Sequence, residues 1–281
     1  MGPGRTGPHD GFAMTHQYDP GPVGEPYASL VASYPGADVY PPDSFRIEWG
    51  PLFHRGRLDG SARLLVIGQD PAQSEAVVRR ILVGEAGHRT QGLMAKLGFT
   101  RSYLLINTFL YSVYGQAGGE QHKDDPGIVD YRNDWLRSIF GGNEIDAVLA
   151  LGALADDAWH KWKQTPVGQN YSPAYARVTH PTEPESSSGG DPIKLKAAIT
   201  AMLQNWNQAL AALHPLIKHP DVPGPLVPYG DSFAPEDRIE IPEFDAPAGL
   251  PEWMRSPAAW AQRVGKTAAE KRANITITVP V

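Results

Sequence analysis

The chain has 281 residues, 41% of them apolar, with a net charge of −6 and no cysteine. Those values allow a sizeable core and argue against a broad basic surface that coats nucleic acid. They exclude disulfides, thiol catalysis and cysteine-held zinc or iron–sulfur centres. No apolar run approaches the ~20 residues of a membrane helix, and the first residues lack the apolar stretch of a secretory signal. The expectation is a cytoplasmic protein that does not engage membrane.

Residues 1–43 are rich in Gly, Pro, His and Tyr without periodicity, which predicts an irregular arm. From 44 to 213 the pattern is that of a folded domain. Apolar runs at Leu64–Ile67, Tyr103–Ile106, Ala147–Leu151 and Tyr175–Val178 read as buried strands, with intervening segments long enough for crossover helices. Asp125-Pro126 starts a helix whose Ile128, Tyr131, Trp135 and Ile139 share a face. Asp191-Pro192 repeats the signal ahead of Leu195, Ile199, Met202, Trp206 and Leu210. The alternation predicts an α/β fold, a short, mainly parallel β-sheet flanked by helices in a three-layer αβα arrangement. Residues 214–281 are proline-rich and are expected to pack on the domain as extended chain, with a short helix near Ala258–Val264.

Three polar residues fall at predicted strand ends, the edge where open α/β sheets bind ligands. Asp70 follows Leu64–Gly68 and Gln69, and Pro71 stiffens its turn. Asn107 ends the Tyr103 strand, and its amide offers both a donor and an acceptor, suited to the edge of a planar ligand. His180 follows the Tyr175 strand and opens a rigid turn, His180-Pro181-Thr182, ahead of a polar loop over 183–190. Taken singly, these also read as a turn aspartate, a capping asparagine and a structural histidine. Trp159, Trp162 and Trp206 read as core, and His214 and His219 as a surface turn rather than a metal site. A glycine-rich dinucleotide fingerprint and a Gly-x-Ser-x-Gly elbow are both absent.

Gly68-Gln69-Asp70-Pro71-Ala72, Leu104-Leu105-Ile106-Asn107 and His180-Pro181-Thr182 together resemble the signature of the uracil-DNA glycosylase superfamily, over roughly residues 60–212. Val148–Gly152 ahead of a helix is similar to that family's third strand–helix unit. The resemblance implies hydrolysis of the bond between uracil and deoxyribose, the first step of base-excision repair of DNA damage. Asp70 would stabilise the sugar cation and position water, and His180 would donate to the departing base. Asn107 would read uracil O4 and N3–H, with Gln69 and Ala72 also on the substrate. The sequence departs from the pattern at Ala72, where the family's main branch has a thymine-blocking tyrosine. It also departs at 84–93, where the family's base-stacking aromatic ring is missing and His88 and Arg89 are the candidates for substrate contact. The expected partner is uracil-containing DNA, single- or double-stranded, bound by a monomer without metal or organic cofactor. The alternatives are a non-catalytic binder of uracil-containing or abasic DNA, and a glycosylase for hypoxanthine or xanthine.

Overall fold

In the computed structural model, which describes residues 17–280, a five-stranded sheet lies between two layers of helices. Strand order is β1-β3-β2-β4-β5, with β1 Arg55–Gly56, β2 Leu64–Gly68, β3 Tyr103–Asn107, β4 Ala147–Leu151 and β5 Ala174–Val178. The last four are mutually parallel, and the two-residue β1 runs antiparallel on the edge beside β3. The chain therefore moves from β2 to one side for β3 and returns past β2 for β4. That reversal opens a crevice at the carboxyl ends of the strands.

Side-chain alternation explains the two buried faces. Leu65, Ile67, Leu104, Ile106, Val148 and Ala150 face one core, with α1 (Tyr27–Ala32), α5 (Pro126–Gly142) and α6 (Ala153–Lys163). Leu64, Val66, Leu105, Leu149, Leu151 and Val178 face the other, with α3 (Glu85–Lys96) and α8 (Pro192–Leu213). Trp159 and Trp162 are buried in the first core and Trp206 in the second. Burying each such side chain contributes on the order of 2–3 kcal/mol. Two short helices, α2 (Gln73–Val78) and α4 (Gln116–His122), follow β2 and β3 in the chain. Both Asp-Pro pairs start helices. Asp191 accepts from the N–H groups of Ile193 and Lys194 at the head of α8.

Three segments differ from expectation. Within the arm, the described residues include α1 and bury Tyr27 and Tyr40, because aromatic rings there pack on Trp135 and Tyr111; residues 1–16 lie outside the described residues. The loop expected over 183–190 holds α7, Glu183–Ser187. In place of a helix near Ala258–Val264 stands β6, Ala261–Gln262, antiparallel to β7, Thr276–Ile277, with α9, Ala268–Ala273, between them.

The proline-rich tail is anchored on the α3 side. Asp245, fully buried, accepts from Arg55 at 3.0 Å, Arg57 at 2.6 Å and the Tyr103 hydroxyl at 2.8 Å. Tyr229 and Phe233 pack edge-on against Trp206, and Trp260 joins Val78, Val83 and Ile241 in a third small core. No helix among the described residues is long and apolar enough to cross a membrane.

Candidate active site

A cavity of about 840 Å³ opens at the carboxyl ends of the parallel strands. The turn after β2 lines it with Gln69, Asp70, Pro71 and Ala72, and the segment after β3 with Ser112 and Val113. Gly152, Ala153 and Leu154 line it after β4, and His180, Thr182 and Glu183 after β5. Asp70 and His180, far apart in the chain, therefore share one chamber.

Asp70 is held by backbone. Its Oδ2 accepts from the Val113 N–H at 3.0 Å. Val113 is itself fixed by a bridge to Phe45, and flanking hydrogen bonds run from Arg46 N–H to the Ser112 carbonyl and from Tyr114 N–H to the Ser44 carbonyl. Desolvation in the cavity wall pushes the Asp70 carboxyl up to about 6, against the lowering effect of the Val113 and Gln69 hydrogen bonds. It is thus ionised at neutral pH at some cost.

His180 sits at a close approach of backbone to side chain. Gly152 has φ +88°, and a Cβ there would lie 3.2 Å from the His180 Cβ, so the imidazole rests on a glycine at the head of α6. The Thr182 N–H donates to Nδ1 at 3.3 Å. Nδ1 is the acceptor, which leaves Nε2 to carry the proton of the neutral ring. Burial lowers the imidazole to about 4, so His180 is a neutral donor at physiological pH. The α6 N-terminus, at Gly152–Leu154, adds its positive dipole end to the same wall.

Asn107 takes another position. It lies opposite Gly68 in the β2–β3 register and does not line the cavity. A Cβ on Gly68 would come within 2.3 Å of its Oδ1, so only glycine at 68 admits this amide. The Oδ1 is buried without a hydrogen-bond partner. Leu82 reaches the same spot, with Cδ1 3.5 Å from that Cβ position, and it does line the cavity. Leu82 also carries φ +51°, an unfavourable backbone conformation for a bulky residue.

His88 and Arg89 lie outside the cavity lining, buried on α3. The His88 Nδ1–H donates to the Ile239 carbonyl at 2.8 Å, and burial lowers its pKa. Arg89 donates to the Pro181 carbonyl at 2.6 Å, pairs with Glu185 at 2.7 Å and with Glu85 at 2.7 Å, and stacks on Phe233. Its guanidinium clamps the turn that carries His180 onto α3, and this gives the acidic Glu185 its partner. Among the described residues the lining holds no Phe, Tyr or Trp; its apolar walls are Pro71, Leu82, Val113 and Leu154.

No family model and no curated protein matches the chain.

Sequence reasoning missed Val113, Leu82, Arg177 and Arg263 in this lining. Val113 acts through its backbone, and Arg263 arrives from the tail. Leu82 and Arg177 carry no motif.

Proposed function

We propose that this chain hydrolyses the N-glycosidic bond between uracil and deoxyribose in DNA. The observation that carries the reading is that Asp70 and His180 line one cavity, as an ionised carboxylate and a neutral imidazole. The bond breaks with positive charge growing on the sugar and negative charge on the base. Asp70, held by Val113, faces the first charge and orients the attacking water. The Nε2–H of His180 donates to the uracil oxygen next to the broken bond, and the α6 dipole adds to it. Fixed groups of this kind need no reorganisation as the charges develop, and one such donor is worth about 10²–10³ in rate.

Recognition of the base falls to Asn107. Its orphan Oδ1 is an acceptor for uracil N3–H, and Leu82 turning out of the wall joins it to the chamber. Leaving that acceptor unpaired costs roughly 1–3 kcal/mol, which a bound uracil recovers and a cytosine, with no donor at N3, does not. Ala72 is exposed at the lining and offers no bulk against a 5-substituent.

The test is release of base from labelled oligonucleotides carrying uracil, thymine, hypoxanthine or xanthine, followed by alkali. Scission at uracil that Asp70→Asn abolishes supports the reading. Binding without scission makes the chain a non-catalytic binder, and scission at hypoxanthine or xanthine alone moves the substrate to a purine.

A further inference from the structure

The tail brings cations to the mouth of this cavity. Arg263, just past β6, lines the chamber that holds Asp70. It also lines an adjoining open pocket of about 580 Å³, together with Gln73, Gly115 and Lys271 of α9. Gln73, Gly115 and Arg263 belong to both, so the two spaces form one groove. The side chains of Arg263 and Lys271 are exposed; neither makes a hydrogen bond or ion pair among the described residues, and Arg263 lies close enough to Asp70 to favour its ionised form electrostatically.

The carboxylates lining the chamber are Asp70, Glu75, Glu85, Glu120 and Glu183, and the first four are each engaged by other groups. Glu75 accepts the N–H groups of Ala72, Val83 and Gly84. Glu85 is paired with Arg89 and Arg238, and Glu120 with Lys123. Glu183 lines the chamber three residues after His180. A chain with net charge −6 repels a polyanion at long range, so strand binding needs such a local cationic strip.

We propose that the C-terminal hairpin grips the phosphodiester backbone of the DNA strand, with Arg263 on the phosphate beside the nucleotide in the cavity and Lys271 on a neighbouring one. This rests on the glycosylase reading for the identity of the strand. The hairpin itself is held by apolar and backbone contacts: Trp260 is buried, the Gln73 side chain donates to the Ala261 carbonyl, and the Thr278 N–H donates to the Trp260 carbonyl. The two cations are therefore presented on an anchored element, exposed and without an ion pair among the described residues.

The experiment is fluorescence anisotropy of a labelled single-stranded oligonucleotide carrying uracil. Asp70→Asn protein, which prevents turnover, is compared with the same protein bearing Arg263→Gln and Lys271→Gln, over roughly 50–200 mM salt. Arg137→Gln, on the exposed surface of α5, is the control. The double substitution is expected to weaken Kd at least fivefold at the lowest salt and to reduce the salt slope by about 0.7 per cation removed, with the control unchanged. Equal Kd and slope in parent and double variant overturn the proposal. Uracil release by the wild-type chain is scored separately. Release with no hairpin effect removes the groove and keeps the enzyme; a hairpin effect without release keeps the groove and removes the enzyme; no binding of the strand overturns both. Both substituted side chains are exposed, and an unchanged thermal midpoint shows that the fold is intact.

Discussion

Two buried charged sites in this molecule are built in opposite ways. At Asp245 the carboxylate itself is fully answered: it faces two guanidinium groups and a phenol and is closed to solvent, although Arg55 Nε and Nη2 and Arg57 Nε stay without hydrogen-bond partners. At Asp70 the carboxylate faces a cavity with the Val113 N–H and the Gln69 side chain as hydrogen-bond partners and no ion pair among the described residues, and a neutral imidazole lines the same chamber. The first arrangement fastens the tail to the sheet. The second holds charge at a cost, with Leu82 in an unfavourable conformation and Asn107 Oδ1 unpaired beside it. Binding and catalytic sites commonly keep such unrelieved terms, because a ligand or transition state then relieves them.

Breaking the satisfied site should cost most. Asp245→Ala strands Arg55 and Arg57 and is expected to lower stability by about 3–5 kcal/mol in urea unfolding. A loss under 1 kcal/mol would mean that the tail is held by its apolar contacts alone. Next comes Arg89, which joins the His180 turn to α3. Arg89→Gln is expected to cost about 1.5–3 kcal/mol and to reduce uracil release roughly tenfold, while leaving the acidic limb of the pH profile near 6. A displaced limb would place Arg89 in electrical contact with Asp70. The smallest effect is expected at Leu82. Leu82→Gly relieves the backbone, worth about 1 kcal/mol, and removes the apolar screen beside Asn107. It should lower KM for uracil-containing DNA and leave cytosine rejected. An unchanged KM would take Asn107 out of base recognition.

The pH dependence sharpens the same contrast. Asp70 has a folded-state pKa raised to about 6, so its contribution to stability is complete below the unfolded value near 3.8 and is lost as pH rises through 6. His180 is shifted the other way, to about 4, and destabilises the fold as pH falls from about 6.5 towards 4. Uracil release should therefore rise through pH 6 as Asp70 ionises, with no further limb from His180 between pH 5 and 8. A limb near 6.5 that His180→Gln removes would contradict a neutral histidine.

Much of this architecture was legible in the sequence. The strands β2, β3 and β4 are near-continuous apolar runs because both of their faces are buried, whereas the edge strand β5 is mostly half-buried and carries the exposed Arg177; Asp-Pro marked both long helices. The edge strand β1 was not, because two residues carry no period. Asp70 and His180 could be placed at one edge of the sheet because strand ends are readable. Asn107 sits at its predicted strand end, yet the pleat turns it under Leu82, a distinction that one residue of register decides. His88 and Arg89 look the same in sequence whether they face a ligand or a tail folded back from residues 239 and 233. Arg263 and Lys271 lie in a stretch with no periodic signal, and their relation to the cavity depends on the path of the whole tail.

The most direct measurement pairs two readings on Asp70→Asn at pH 7.5: uracil release from a labelled oligonucleotide and stability in urea. A carboxylate kept ionised for catalysis at a cost to the fold predicts release reduced by at least 10²-fold and stability raised by about 1–2 kcal/mol, with that gain gone at pH 4. Undiminished release, or a variant less stable than the parent at pH 7.5, would contradict it.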